Sequence, residues 1–358
     1  MVSRACFASA LRIERPRVAR CDLLRKGPSV TDSNAPAVPA AERLRALFGL
    51  VGCCALWGLS FPVIKALGLH LSAQAPGINT WFAAAATVAV RFGCGTIFLV
   101  ALGLPRPTRR EVAQGLSIAV FSAIGMLLQM DALNFSSAST SAFLTQGYIL
   151  ILPLVAAVVG RALPPLKTIV CVVMSAVGLA ILSGFDWSGA HLGRGESETL
   201  LAACSFAGQI LCLDAKRYRG NRARVVTTVM FAGVTTLLTP VALGTMRSAS
   251  ELGLLFATPM ALGLVFLLTV PCTIMAFSLM NRYQPEVSAS EAGIIYGVEP
   301  LFASLLALFL PSIFASLARI EYANEVLDTR LLLGGGLLVC ANVLLQLRWS
   351  LAAGRAGH

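Results

Sequence analysis

Glu299 and Arg91 are charged side chains that fall near the middle of long apolar runs, Glu299 within VSASEAGIIYGVEPLFASLLALFL at 287–310 and Arg91 within a run over about 80–104. A charge held in hydrocarbon costs a few kcal/mol, so each must face protein or water. Two readings stand. In one, Arg91 binds an anionic substrate group while Glu299 accepts a proton or an ammonium group. In the other, the two form a buried structural ion pair that breaks even in energy at best yet is costly to break halfway. Glu291 shares a helical face with residues 295 and 299. That spacing suits a carboxylate ladder leading to Glu299, and it equally suits a wet acid favoured by the dipole at a helix start.

Other polar groups sit within or at the ends of apolar runs: Trp57, Gln129, Gln146, Tyr148, Gln209, Asn281 and Tyr296. Buried amides and hydroxyls need partners that lipid cannot supply, so these side chains line a cavity or hydrogen-bond between helices. Pro62, Pro153, Pro271 and Pro300 each remove a backbone donor inside a run, giving hinges or static kinks. Lys65 and Asp131 end two runs on the same side, where they snorkel, pair at the rim or gate; Asp214 reads as interfacial. Gly334, Gly335 and Gly336 suit close helix approach, with a homodimer contact as one use.

The elements that must position these groups follow from composition. With 57% hydrophobic and 13% charged residues and a mean hydropathy of +0.78, the chain reads as an all-α polytopic membrane protein. Ten spans are expected, at about 46–68, 80–104, 112–133, 138–160, 166–184, 198–216, 225–244, 256–280, 287–310 and 330–348. The ~10-residue alternation of barrel strands is absent. Basic residues collect in alternate loops: Arg106, Arg109 and Arg110; Arg161 and Lys167; Lys216, Arg217, Arg219, Arg222 and Arg224; then Arg282. Both termini are therefore expected in the cytoplasm. The net charge of +11 belongs to this sidedness, not to nucleic acid, since no basic stripe with interleaved aromatics is present. Eight of the ten cysteines lie in apolar runs and behave as small apolar residues; Cys6 and Cys21 lie in the tail, and no disulfide is expected.

A shift of 147 residues lays Asn134 on Asn281, Ser141 on Ser288, Ala142 on Ala289, Pro153 on Pro300 and Leu154 on Leu301. One unit is thus written twice, and five spans per unit is odd, so the ten transmembrane helices form two inverted five-helix repeats. The divisions are a basic cytoplasmic tail at 1–44, whose Arg-rich composition also permits an organelle transit peptide, a first repeat at 45–184, an extracytoplasmic linker at 185–197, a second repeat at 198–348 and a cytoplasmic tail at 349–358.

At these residues the chain resembles the drug/metabolite transporter superfamily, in its EamA-like branch. ALWGLSFPVIKA, with Trp57, Gly58, Ser60 and Phe61, is similar to its first-span signature; Arg91 and Phe92 resemble its Arg-Phe element; DALNFSSASTSAFLTQGYILILPLVAAVVG resembles the passage from third to fourth span, with Pro153 at the family proline. Glu299 and Pro300 are the second-half counterpart. The resemblance covers roughly 46–348 and implies a substrate cavity lined by spans one to four and six to nine, with spans five and ten outside. Two positions depart from it: Gly160 is followed by Arg161 where the family has Gly-Glu, and PSIFASLARIEYANEVLDTR replaces a short link after the ninth span.

The function expected is secondary active transport of a small polar or amphipathic metabolite or drug by alternating access, most often outward in this family, with Glu299 and then Glu291 as proton sites. The expected setting is a bacterial cytoplasmic (inner) membrane. The alternative is a non-transporting sensor or assembly protein on the same scaffold. No cofactor, metal or nucleic acid is expected. An enzyme is not expected either: GxxxxGK[ST], HExxH and GxSxG are absent, and His70, His191 and His358 lie in loops or at the chain end.

Overall fold

The computed structural model describes residues 40–148, 151–152, 166–182, 193–287, 292 and 295–346, all within one packed unit. Every regular element among them is helical. Pro153, Glu291, His191, His358, Arg161 and the tail at 349–358 lie outside the described residues.

The first half opens with α1 (Ala40–Gln74), 35 residues with Pro62 inside. At 1.5 Å per residue it is about 52 Å long, well beyond a ~30 Å hydrocarbon core. It begins inside the segment read as a tail and carries Lys65 inward from the end. Next, α2 (Thr80–Ala101) is capped by Asn79, whose side chain accepts from the Trp81 N–H at 3.0 Å. A capping box starts α3 (Arg109–Ala132): Thr108 and Glu111 each accept from the other's backbone N–H. Ser137 caps α4 (Ala138–Thr145), and α5 (Leu166–Leu182) closes the half.

In the second half, α6 (Arg194–Asp214) starts four residues inside the stretch expected to be linker. It is followed by α7 (Ala223–Thr245), a short turn of helix at Ser250–Leu254, and α8 (Pro259–Thr269). A π-helical turn, Val270–Met275, joins α8 to α9 (Ala276–Tyr283). Pro271 has no N–H to give, which is why the regular ladder fails there. The Thr273 hydroxyl bonds the Leu268 carbonyl instead, at 2.7 Å.

The run expected to be one span at 287–310 is broken. It holds α10 (Glu299–Ala307) and ends where α11 (Leu310–Ala318) begins, the two helices bent by 51°. Pro311 cannot donate to the Ala307 carbonyl, and that carbonyl accepts from the Glu325 N–H at 2.9 Å. The link expected after the ninth span is thus half helix. Arg319, at φ 52°, ends α11 in the left-handed region, and residues 320–328 run as a strap to α12 (Thr329–Gln346).

Among the described residues, five helices are long and apolar enough to cross a membrane, and the bent pair makes up to six. Leu301, Leu305, Leu317, Leu332 and Leu333 are exposed on the outer surface, as lipid-facing side chains are. The chain is an integral, multi-pass membrane protein. Other segments are shorter, or in α6 carry Arg194, Glu196, Glu198 and Asp214. The packing partners are α1 with α8, α9 and α10; α2 with α7; α3 with α6 and α7; α4 with α6; and α5 with α12. Small residues set the closest contacts. A Cβ on Gly58 would stand 2.9 Å from the Ala303 nitrogen, and one on Gly178 2.9 Å from the Gly334 oxygen. Gly334 and Gly335 are therefore used inside the chain, against α5 and the Phe143 ring, while Gly336 faces open space.

Candidate functional site: a buried polar cavity

A cavity of about 540 Å³, its open mouth included, lies among α1, α2, α3, α4, α6, α9 and α10. Its polar wall carries Trp57, Arg91, Gln129, Tyr148, Gln209, Tyr296 and Glu299, all singled out from sequence, together with Ser60 and Thr145. Its apolar wall is Met126, Phe206, Ile210, Phe277 and Met280. A mixed lining of this kind, a few polar groups among aromatic and thioether side chains, is typical of small-molecule sites.

Arg91 reaches the cavity from the middle of α2 and is 1% exposed. Its Nε donates to Thr273 Oγ1 at 2.9 Å and its Nη1 contacts the Met130 sulfur at 3.8 Å. The π-helical turn supplies that anchor, because the Thr273 hydroxyl hangs from the displaced ladder. Glu299 is the first residue of α10, where the dipole favours a carboxylate. Gln146 donates to its Oε2 at 3.3 Å. Arg91 and Glu299 thus share one cavity, yet no hydrogen bond or ion pair joins them among the described residues. Gln146 stands behind Glu299 as its donor and is not part of the lining. Pro300 lies in the first turn of α10, where its missing N–H costs nothing, so it does not kink a span. Pro62 sits in an unbroken α1.

The aromatic side is built around Trp57, whose ring lies 5.3 Å from Phe277, edge-on, and 5.7 Å from Tyr296. Such pairs stiffen a wall at little entropy cost. The Trp57 Nε1 finds no acceptor among the described residues. Two cysteines of α1 bond carbonyls across the cavity's flank, Cys53 to Ala276 and Cys54 to Ile295. The cysteines at the described positions are all free thiols.

Towards the arginine-rich end, Ser122 donates to Gln209 at 2.8 Å and Tyr296 donates to Gln284 at 2.7 Å. Beyond them opens a wider pocket, about 1020 Å³ with the open solvent at its mouth, that includes Gln114, Asp214, Arg219, Asn221, Asn281 and Glu286. Asn281 therefore belongs to this vestibule and not to the inner cavity. It donates to Thr227 at 2.9 Å. Arg222 and Glu111 pair at 2.7 Å beside it, tying the start of α7 to the start of α3; hydrogen bonding to Glu111 raises the pKa of Arg222.

At the opposite end, the expected rim pair of Lys65 and Asp131 does not form. Lys65 donates to the Ser136 carbonyl and Asp131 pairs with Arg194. The Glu325 carboxylate, carried by the strap, accepts from the Ala138 N–H at 2.8 Å and from Ser139, covering the start of α4.

No family model matches the sequence. An uncharacterized transporter of Archaeoglobus fulgidus is 26% identical over 269 residues, 75% of this chain and 78% of that protein. A crystal structure of a protein at 13% identity superimposes with a TM-score of 0.52, covering 84% of this chain and 98% of the other. The second likeness concerns the fold alone.

Proposed function

We propose that the protein is a secondary active transporter that moves a small polar or amphipathic solute by alternating access. The observation that carries this reading is the cavity: one buried guanidinium and one buried carboxyl, unpaired with each other, facing the same space among helices from both halves of the chain. A structural ion pair would have brought Arg91 and Glu299 together. Their separation leaves each free to meet a solute group of opposite charge. The similarity to an uncharacterized transporter supports the same class.

The helix pairing also fits the drug/metabolite transporter, EamA-like plan of inverted repeats. Exchanging the halves turns α1 with α10 into α6 with α4, and leaves α2 with α7 and α5 with α12 unchanged. On this plan the vestibule opens to the cytoplasm, both termini lie there, and export from a bacterial cytoplasmic membrane is the direction we favour. Glu299 is the coupling-proton site within the cavity. Catalysis is no part of this function.

The test compares small molecules inside and outside cells producing wild type, Glu299→Gln or empty vector. One compound class redistributed by wild type alone, with the variant present in the membrane at equal amount, supports the reading. Matching profiles across a broad panel overturn it in favour of a sensor or assembly protein.

A further inference from the structure

Asp131 and Glu198 lie at the end of the α3 and α6 pair opposite the arginine-rich loops, away from the cavity. One guanidinium bridges them: Arg194 Nε donates to Glu198 Oε1 at 2.8 Å, and Arg194 Nη2 pairs with Asp131 Oδ2. The other oxygens, Asp131 Oδ1 and Glu198 Oε2, are buried and find no donor among the described residues. Both carboxyl groups hold the same guanidinium, which sets them side by side. Asp131 is 0% exposed and Glu198 9%. Gly195 makes this closeness feasible, since a Cβ there would stand 2.9 Å from the Ala132 oxygen.

Counted as ionised, the cluster holds two negative charges and one positive. A surplus buried charge is costly unless neutralised, and two carboxylates sharing a site cannot both ionise freely. Among the described residues, the surrounding elements do not supply the missing cation. Phe135 stacks on Arg194 at 4.2 Å. Lys65, from α1, bonds the far side of the same turn at Ser136, and Glu325 on the strap stands near enough to Lys65 to offset it. Glu196 is turned back towards Gly193. Thr199 and Ser141, from α6 and α4, are neutral and bond one another at 3.3 Å.

We infer that Asp131 and Glu198, bridged by Arg194, form a proton-binding carboxyl pair that holds one proton between Asp131 Oδ1 and Glu198 Oε2. Binding adds one proton from the adjoining water and breaks no covalent bond. The pair is a second protonation site besides Glu299, on the face opposite the vestibule. Thr199, next to Glu198 in sequence, bonds Ser141, whose carbonyl accepts from Thr145, and Thr145 and its donor Gln129 belong to the cavity wall. Its part in coupling rests on the transporter reading; its binding of a proton does not.

The test is pH-difference infrared spectroscopy on the full chain in liposomes, with wild type, Asp131→Asn, Glu198→Gln and Glu299→Gln measured in potassium and in sodium buffer. A protonated-carboxyl band common to wild type and Glu299→Gln, and lost in both Asp131→Asn and Glu198→Gln, is the expected result. Its loss on neutralising either partner is the mark of a shared proton. Survival of the band in both variants overturns the inference. So does its removal by sodium at constant pH, which makes the pair a sodium site. Arg194→Gln keeps both carboxyls and decides the matter if a neutralised variant fails to fold. Without the bridging cation the band must form at higher pH, and an unchanged midpoint overturns the inference. Since the readout is proton binding and not flux, a failed transport assay leaves this outcome distinct.

Discussion

At the residue scale, the sequence makes the charges conspicuous by scarcity. Arg91 and Glu299 stand out because a charge in an apolar run must face protein or water, and both line the cavity, as do the polar Gln129, Gln209 and Tyr296. Phe206, Phe277, Met126 and Met280 line the same space but carry no such signal, since an apolar side chain reads alike whether it faces lipid or solute. Partnerships are equally illegible. Arg91 bonds a threonine on a distorted turn, and Asp131 bonds Arg194 and not Lys65. Glu299→Gln is expected to abolish or uncouple transport, with membrane abundance unchanged, as read by flux at two external pH values. Arg91→Gln removes a charge-assisted hydrogen bond worth ~1.5–3 kcal/mol, so initial flux should fall roughly ten- to a hundredfold. Arg91→Lys keeps the charge but not the fork geometry and should recover only part of it. Wild-type flux in Arg91→Gln returns the residue to a packing role.

At the element scale, most helices were legible from apolar length, but their breaks were not. The interruption between α10 and α11 hides in an unbroken apolar run. It becomes readable only once Pro311 is seen to vacate the Ala307 carbonyl and the strap is seen to fill it. Glu325→Ala should cost ~1 kcal/mol by uncovering the start of α4, measured as a lower unfolding temperature in detergent; an unchanged midpoint makes the contact incidental. Gly58 offers a sharper contrast. Valine there drives methyl groups into the α10 backbone, an overpacking cost of ~1–3 kcal/mol or more, whereas Gly336→Ala meets nothing within 4 Å and should leave stability unchanged.

At the scale of the whole molecule, the loops that carry Arg106, Arg222 and Arg282 gather at one end, around the vestibule, and the strap and the Asp131–Glu198 pair occupy the other. This division was visible in the alternation of basic loops. Which helices touch was not, because pairing α2 with α7 or α5 with α12 requires the two halves to interlock. Reporter fusions within 217–221 and within 247–250 should give opposite compartment signals, and equal signals would refute the proposed orientation. The π-helical turn at Val270–Met275 has one more effect. It amounts to a one-residue insertion, so every side chain after it is rotated by about 100° from where an uninterrupted helix would aim it. Phe277, Met280 and Asn281 owe their headings to that surplus residue. Excising Val270 should swing all three off their present bearings and blunt the cavity's aromatic wall, detectable as altered tryptophan emission from Trp57. One position in the chain's register thus keeps the lower third of a helix pointed inward.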